Sequence, residues 1–264
     1  MKIREIKAKS IMVKSAIPGS DFVINPYTGC MHGCVYCYAR FMKRFTDHKE
    51  LWGRFVDVKV NGPELVPEKW KGGSILLSSV TDPYQPLEMK YEITRKILEK
   101  LVSFQPDLCV LTKSDLVLRD VDILKRFRRC MVGFSVSVMD ENIRREVEIG
   151  APTVERRVDA LRMLKESGLR NFLFISPILP EVTDWKEIIS RTKDFVDEFW
   201  FENLNVKGDN WPYIKSWLKS RYPHLLEKYE RIYFTRNDYW RGVEKDIKIF
   251  CEKNGLEYKI YFHH

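Results

Sequence analysis

The chain has 264 residues, 44% of them hydrophobic and 31% charged, with a formal net charge of +8. That length suits one large α/β domain or two small ones with a sizeable core, and no apolar run approaches the ~20 residues that crossing a bilayer takes. The basic balance favours anionic partners: nucleic acid, a phosphorylated metabolite or an acidic protein.

The N-terminal "MKIREIKAKS" is basic but lacks the apolar stretch of a signal peptide. A cytoplasmic location is therefore expected, and in a reducing compartment clustered cysteines bind metal or do redox work. "DFVIN" (21–25) reads as a first strand and is followed at once by "NPYTGCMHGCVYCYAR" (25–40). From residue 74 the chain alternates apolar and amphipathic runs. "SILLSSV" (74–80), "PDLCVLTKS" (106–114), "CMVGFSVSV" (130–138), "NFLFISPIL" (171–179) and "EFWFENLNV" (198–206) read as strands. Between them, 92–104, 119–127, 153–168 and 184–195 carry helical spacing; Thr153 gives the third a weak start and Gly168 a good stop. Six strands separated by helical crossovers imply a parallel sheet in an α/β fold. No linker or change of composition divides 1–264, so a single domain is expected, with a core over about 20–206. Residues 207–264 read as an extension of two helices and a terminal strand. The basic clusters "MKRF", "LKRFRR" and "IRREVE" are scattered, and solvated helix faces are the expected reading for each. The terminal "FHH" is given no weight, because His263 and His264 read equally as the stub of a purification tag.

Half of the six cysteines, Cys30, Cys34 and Cys37, fall in eight positions with the spacing C-x3-C-x2-C. Structural zinc takes four Cys or His ligands, usually from two such knuckles. Here no second pair exists, since Cys109, Cys130 and Cys251 are isolated and read as packing residues. His32 lies inside the loop as a fourth donor of awkward geometry. Three thiolates on a four-iron cubane leave one iron open, and an open position is what distinguishes a catalytic metal site from a structural one.

This spacing, with Tyr36 just before the third cysteine, resembles the radical S-adenosylmethionine (SAM) superfamily. The resemblance implies a partial (β/α)6 barrel, with the C-terminal helical and strand extension beyond it, and a [4Fe-4S] cluster held by Cys30, Cys34 and Cys37. It further implies SAM on the open iron, an external electron donor such as a flavodoxin or ferredoxin, and a monomer. Reduction would cleave SAM to methionine and a 5′-deoxyadenosyl radical that abstracts hydrogen from a substrate. "SSVTDPYQPLE" (78–88), "LTKS" with "LRD" (111–120), "FSVSV" (134–138), "GAPTVERRVDAL" (150–161), "ISPILP" (175–180) and "FENLN" (201–205) narrow the likeness to the spore photoproduct lyase-like group. By that resemblance Lys113 pairs with the SAM carboxylate, Ser135 hydrogen-bonds to the same group, Tyr36 lies beside the SAM methionyl or adenine portion, and Asp82 positions the amino group. Lys113 also reads as a solvated strand end and Asp82 as the start of a turn. One of Ser135 and Ser137 is expected to be structural, as are Glu148, Arg156 and Arg157. Glu202 and Asn205 sit where barrel enzymes place site residues or serve the loop backbone.

The namesake lyase returns a hydrogen atom from an extra cysteine after the second strand, whereas residues 78–88 hold no thiol. Tyr84 is the remaining weak O–H there. Repair of spore photoproduct is therefore not expected. The other readings are a nucleic-acid repair or modification enzyme, and a non-catalytic Fe–S or zinc protein that binds nucleic acid. Metal content separates the last of these from the enzymes.

Overall fold

The computed structural model describes residues 1–69 and 72–263, so His264 lies outside the described residues. Among the described residues eleven strands run in chain order: β1 (Lys2–Ile6), β2 (Met12–Lys14), β3 (Phe22–Ile24), β4 (Tyr27–Thr28), β5 (Phe55–Lys59), β6 (Ser74–Leu77), β7 (Asp107–Thr112), β8 (Cys130–Ser135), β9 (Arg170–Ile178), β10 (Glu198–Asn203) and β11 (Tyr258–Ile260). The main sheet has eight strands in the order β11-β10-β9-β8-β7-β6-β3-β2. Every pairing from β3 to β11 is parallel, and only β2 runs antiparallel at the edge. The six expected strands are thus β3, β6, β7, β8, β9 and β10 in sequential order, the topology of a partial (β/α)6 barrel.

The helices are α1 (Glu88–Tyr91), α2 (Ile93–Leu101), α3 (Val121–Leu124), α4 (Glu141–Val147), α5 (Val154–Glu166), α6 (Trp185–Thr192), α7 (Trp211–Arg221), α8 (Leu226–Phe234) and α9 (Tyr239–Lys253). Sequential parallel strands need such crossovers, because each chain must return to the same end of the sheet. Their apolar faces, including Ile97, Leu101, Leu161, Leu164 and Ile188, pack on the outward residues Val110, Val132, Leu173, Ile175, Phe199 and Phe201. Thr153 caps α5 by accepting from the Arg156 N–H at 3.3 Å, a firmer start than the sequence suggests, and Gly168 ends the turn at φ +82°. The segment expected as a helix over 119–127 is a 3-10 turn, Asp115–Asp120, running into the short α3.

Two features differ from the sequence reading. The N-terminal region builds a second sheet, β1-β5-β4, with β1 parallel and β4 antiparallel to β5. Its strands are two to five residues long and β1 is largely exposed, so periodicity is too short to register. Among the described residues the extension has three helices rather than two: "IKSWLKSRY" and "EKDIKIFCEKNG" fall in α7 and at the end of α9, and α8 lies between them. Its strand β11 joins the main sheet beside β10, and Cys251 and Trp240 of α9 enter the main core.

Inward-facing residues fill the barrel floor. Phe172 stacks on Trp200 with 3.8 Å between ring centroids, and Trp200 meets Phe174 and Tyr261 edge-on. Gly133 faces the Phe172 ring so closely that any Cβ there would overlap it. Gly133→Ala should therefore displace the Phe172–Trp200 stack and cost about 1–3 kcal/mol of overpacking. A denaturant midpoint equal to wild type would show that the ring has room to move.

Candidate active site

The cysteine loop follows β4 at the C-terminal end of the barrel strands and has little regular structure of its own. Its buried backbone groups must be satisfied from outside. Thr81 Oγ1 donates to the Gly29 carbonyl at 2.7 Å, and Gln85 accepts from Met31 N–H at 2.9 Å. Val35 N–H donates to the Val147 carbonyl at 2.8 Å, and Gly150 N–H to the His32 carbonyl at 2.9 Å. Arg40 donates to the Cys34 carbonyl at 3.0 Å, and Asn210 to the Tyr36 carbonyl at 2.7 Å. Residues after β6, after β8 and in the C-terminal extension therefore hold one loop.

Cys30 and Cys34 are buried, Cys37 is half-buried, and all three are free thiols. Burial pushes each thiol up, Cys34 to about 12; the Lys113 ammonium pulls Cys34 and Cys37 back toward the thiolate. Three thiols in one loop supply the soft donors that a [4Fe-4S] cluster takes, each on a separate iron.

Lys113 reaches this loop from the end of β7. Leu108, Val110 and Thr112 are buried against the helices, while Cys109 and Leu111 are half-buried on the opposite face. The same alternation carries Lys113 inward. Its Nζ lies 5.8 Å from the Tyr36 ring centroid, and among the described residues no carboxylate pairs with it at salt-bridge distance. Tyr36 is buried and donates its hydroxyl to Glu148, which also accepts from Ser137 at 3.2 Å. Arg157 meets the other Glu148 oxygen at 2.5 Å, with both side chains at most 1% exposed. Burial alone would raise the Glu148 carboxyl; Arg157, then Lys113, outweigh it and hold it at about 2.

Asp82 is occupied by the fold. It accepts from Tyr84 N–H at 2.9 Å, Thr112 Oγ1 at 2.6 Å and Lys113 N–H at 2.7 Å, and His32 Nδ1 stands at 3.3 Å. Burial opposes its charge, but His32, Thr112 and the Lys113 amide keep it at about 2. It thus ties the turn after β6 to both β7 and the cysteine loop, the turn-forming alternative. Ser137 takes the structural role expected of one serine. Ser135 is 5% exposed at the end of β8, and its carbonyl accepts from Arg157 at 3.0 Å.

Of the remaining sequence candidates, Arg156 pairs with Asp115 near the surface at 2.7 Å. Glu202 projects inward from β10, accepting from Ser176 at 2.5 Å beside His263 at 3.1 Å. His263 therefore has a place in the fold that the sequence alone does not assign. Asn205 serves the loop, accepting from Lys207 N–H and, through its carbonyl, from Asn210. Tyr84 is fully buried with its phenol toward Asp120, away from the cysteines. Cys251 is buried as expected, but Cys109 and Cys130 are only half-buried. The sequence reading missed Gln85 and Asn210 as loop supports; nothing in their local spacing marks them.

Residues 24–191 match the family model of the radical SAM superfamily. A protein of Methanocaldococcus jannaschii is 42% identical over 254 residues, 96% of this chain and 95% of that one. The radical SAM Nalpha-GlyT isomerase of Pseudomonas phage M6 is 23% identical over 240 residues, 84% of this chain and 47% of its own. Spore photoproduct lyase complexed with dinucleoside spore photoproduct shares the fold at TM-score 0.72 and 18% identity, over 99% of this chain and 82% of that one.

The chain belongs to the radical SAM superfamily. Members use a [4Fe-4S] cluster and SAM, and relatives of this fold have been solved with SAM bound. The residues present fit that pair of groups: three thiols supply soft donors, and among the described residues no carboxylate stands at salt-bridge distance from the inward Lys113 cation.

The Glu148–Arg157 pair gives a test of the site's electrostatics. A carboxyl lowered from 4.5 to about 2 in the folded state contributes stability above its unfolded value, and loses it as pH falls toward 2. Glu148→Gln should destabilise the protein at neutral pH by about 3–5 kcal/mol, because Arg157 is left buried and unpaired. The gap between variant and wild type in thermal melts should close as the pH falls below 4.5. A gap independent of pH would assign the loss to packing instead.

Proposed function

We propose that this enzyme reductively cleaves SAM at a [4Fe-4S] cluster held by Cys30, Cys34 and Cys37 and uses the resulting radical to abstract hydrogen from a substrate. The observation that carries this reading is the unpaired Lys113 ammonium at the barrel end that holds the three free thiols. Cys30, Cys34 and Cys37 would hold the cluster, which would supply the electron for reductive cleavage of SAM. Lys113 holds the SAM carboxylate, because an anion in a half-buried site needs a charged donor. Ser135 hydrogen-bonds to the same group. Glu148 and Arg157 neutralise each other and fix Tyr36 through its hydroxyl, so that its ring forms a wall beside the methionyl or adenine portion. Asp82 acts mainly as a strut, setting the direction of Lys113 through the Lys113 amide. Residues 207–264 belong to the same unit, since α7 and α8 pack behind Cys34 and Tyr36.

Anaerobic reconstitution should give a brown protein that forms 5′-deoxyadenosine from SAM once reduced. Alanine at Cys30, Cys34 or Cys37 should abolish both colour and cleavage; full activity in any one of the three would sink the reading. Lys113→Ala should keep its iron but bind SAM more weakly by about 2–5 kcal/mol, as read by SAM titration against the cluster spectrum.

A nucleic-acid substrate is the second reading. The formal charge of +8 supports it, as does a cleft of about 310 Å³ on the outer side of the cysteine loop. Arg40, Lys43, Arg44, Asp209 and Tyr213 line that cleft, with Arg44 paired to Asp209 at 2.5 Å and Arg40 stacked 3.8 Å from the Tyr213 ring centre. Basic side chains interleaved with aromatic faces suit a single strand. The photoproduct lyase and GlyT isomerase likenesses add support of their own. Affinity for single-stranded DNA or RNA should then fall with salt with a log–log slope of about −0.7 per phosphate contacted. No binding at low salt would leave a small or protein substrate.

A further inference from the structure

The loop between the 3-10 helix Tyr38–Phe45 and β5 carries "LWGRF", residues 51–55. It is pressed against the cysteine loop at two points. A Cβ on Gly53 (φ +85°) would lie 2.7 Å from the Gly33 Cα, and one on Gly29 would lie 2.5 Å from the Phe55 carbonyl oxygen. Phe55 is fully buried, with the His48 ring stacked on it at 4.2 Å and the Trp52 indole edge-on at 5.9 Å and 85°. His48 is in turn held by Asp57 at 2.8 Å. Trp52 is thereby fixed at 6% exposure in a cluster with Cys30, Ala39, Phe55 and Cys37.

Its indole Nε1 is buried and, among the described residues, has no hydrogen-bond partner. A buried indole N–H without an acceptor costs free energy. Cys37 packs against the same cluster that holds Trp52, and a cluster-bound thiolate is an acceptor of the kind the indole lacks.

We infer that Trp52 is a positioning residue that donates its indole N–H to the Cys37 sulfur of the loaded cluster and so raises the cluster's reduction potential. This rests on the reading of Cys37 as a cluster ligand. The reduced cluster carries one more negative charge than the oxidised one, so a donor on a ligand sulfur favours the reduced form. Cys37 is the most exposed of the three sulfurs, and a hydrogen bond there also shields it from water.

Trp52→Phe keeps an aromatic ring against Phe55 and removes only the donor. Reconstituted wild type and variant are compared for iron and sulfide content, and by an EPR-monitored potentiometric titration without SAM. Equal cluster content is expected. At a fixed applied potential the variant's reduced-to-oxidised ratio should fall about tenfold, a shift of about 59 mV to more negative values for one electron. An unchanged midpoint overturns the inference. Should the variant fail to fold, wild type carrying 15N-indole tryptophan decides: pulsed EPR of its reduced cluster should show a weak 15N coupling, and absence of that coupling overturns the inference equally. A wild type that takes up no iron overturns the ligand assignment itself, which the iron analysis reports before any titration.

Discussion

The cysteine loop satisfies few of its own backbone groups, and much of the fold answers that constraint. Whereas a regular helix or strand satisfies nearly all of its backbone, the loop closes two turns on itself, Gly33 N–H to the Cys30 carbonyl at 3.3 Å and Cys37 N–H to the Cys34 carbonyl at 3.2 Å. Its carbonyls and amides are met by Thr81 and Gln85 from the turn after β6, by Val147 and Gly150 from the end of α4, and by Asn210 from the start of α7. These supports come from three connections widely separated in sequence. The loop is therefore rigid only when the sheet, its crossovers and the extension are all in place, so the competence of the thiols is coupled to global folding rather than to local sequence.

The electrostatics follow the same plan. Two carboxylates, Asp82 and Glu148, are buried within the structure that surrounds the thiols, and an uncompensated buried charge is costly. Glu148 is offset by Arg157, and Asp82 by a ring of N–H and O–H donors with His32 alongside. With these accounted for, no carboxylate among the described residues stands at salt-bridge distance from Lys113, although its ammonium acts on Glu148 from further off. Each carboxylate is engaged first by closer partners, which leaves the ammonium available to an anion.

The strands were readable from the sequence because each core strand is buried on both faces and each crossover is amphipathic, so period and length agree. The three cysteines were readable because their spacing is local. Lys113 was readable through the resemblance of "LTKS" and its place at a strand end on the same edge as the cysteines, and the phase of β7 carries it inward. What escaped has a common physical reason. The β1-β5-β4 sheet is built from segments too short and too mixed in burial to show a period. Gln85, Asn210 and Trp52 act through contacts with residues far away in sequence. The partnership of Glu148 with Tyr36 spans 112 residues, and no local pattern announces it. Asp82 was ambiguous from sequence because an Asp before Pro starts turns, and its oxygens are in fact largely taken up by the turn and the adjoining strand.

The inward face of the sheet changes character along the barrel axis, and this bears on where a substrate meets the site. The floor is closed by Phe172, Phe174, Trp200 and Tyr261 packed ring against ring, with Gly133 giving up its side chain to admit Phe172. The Trp200 indole N–H in this floor is already engaged by Glu198 at 2.7 Å. The rim carries Lys113, Ser176 and Glu202 at the strand ends, with Tyr38 beside them donating its hydroxyl to the Ser79 carbonyl. Under the proposed reading a substrate would meet the site from the rim, where Glu202 and Ser176 supply polar groups, rather than from the aromatic floor.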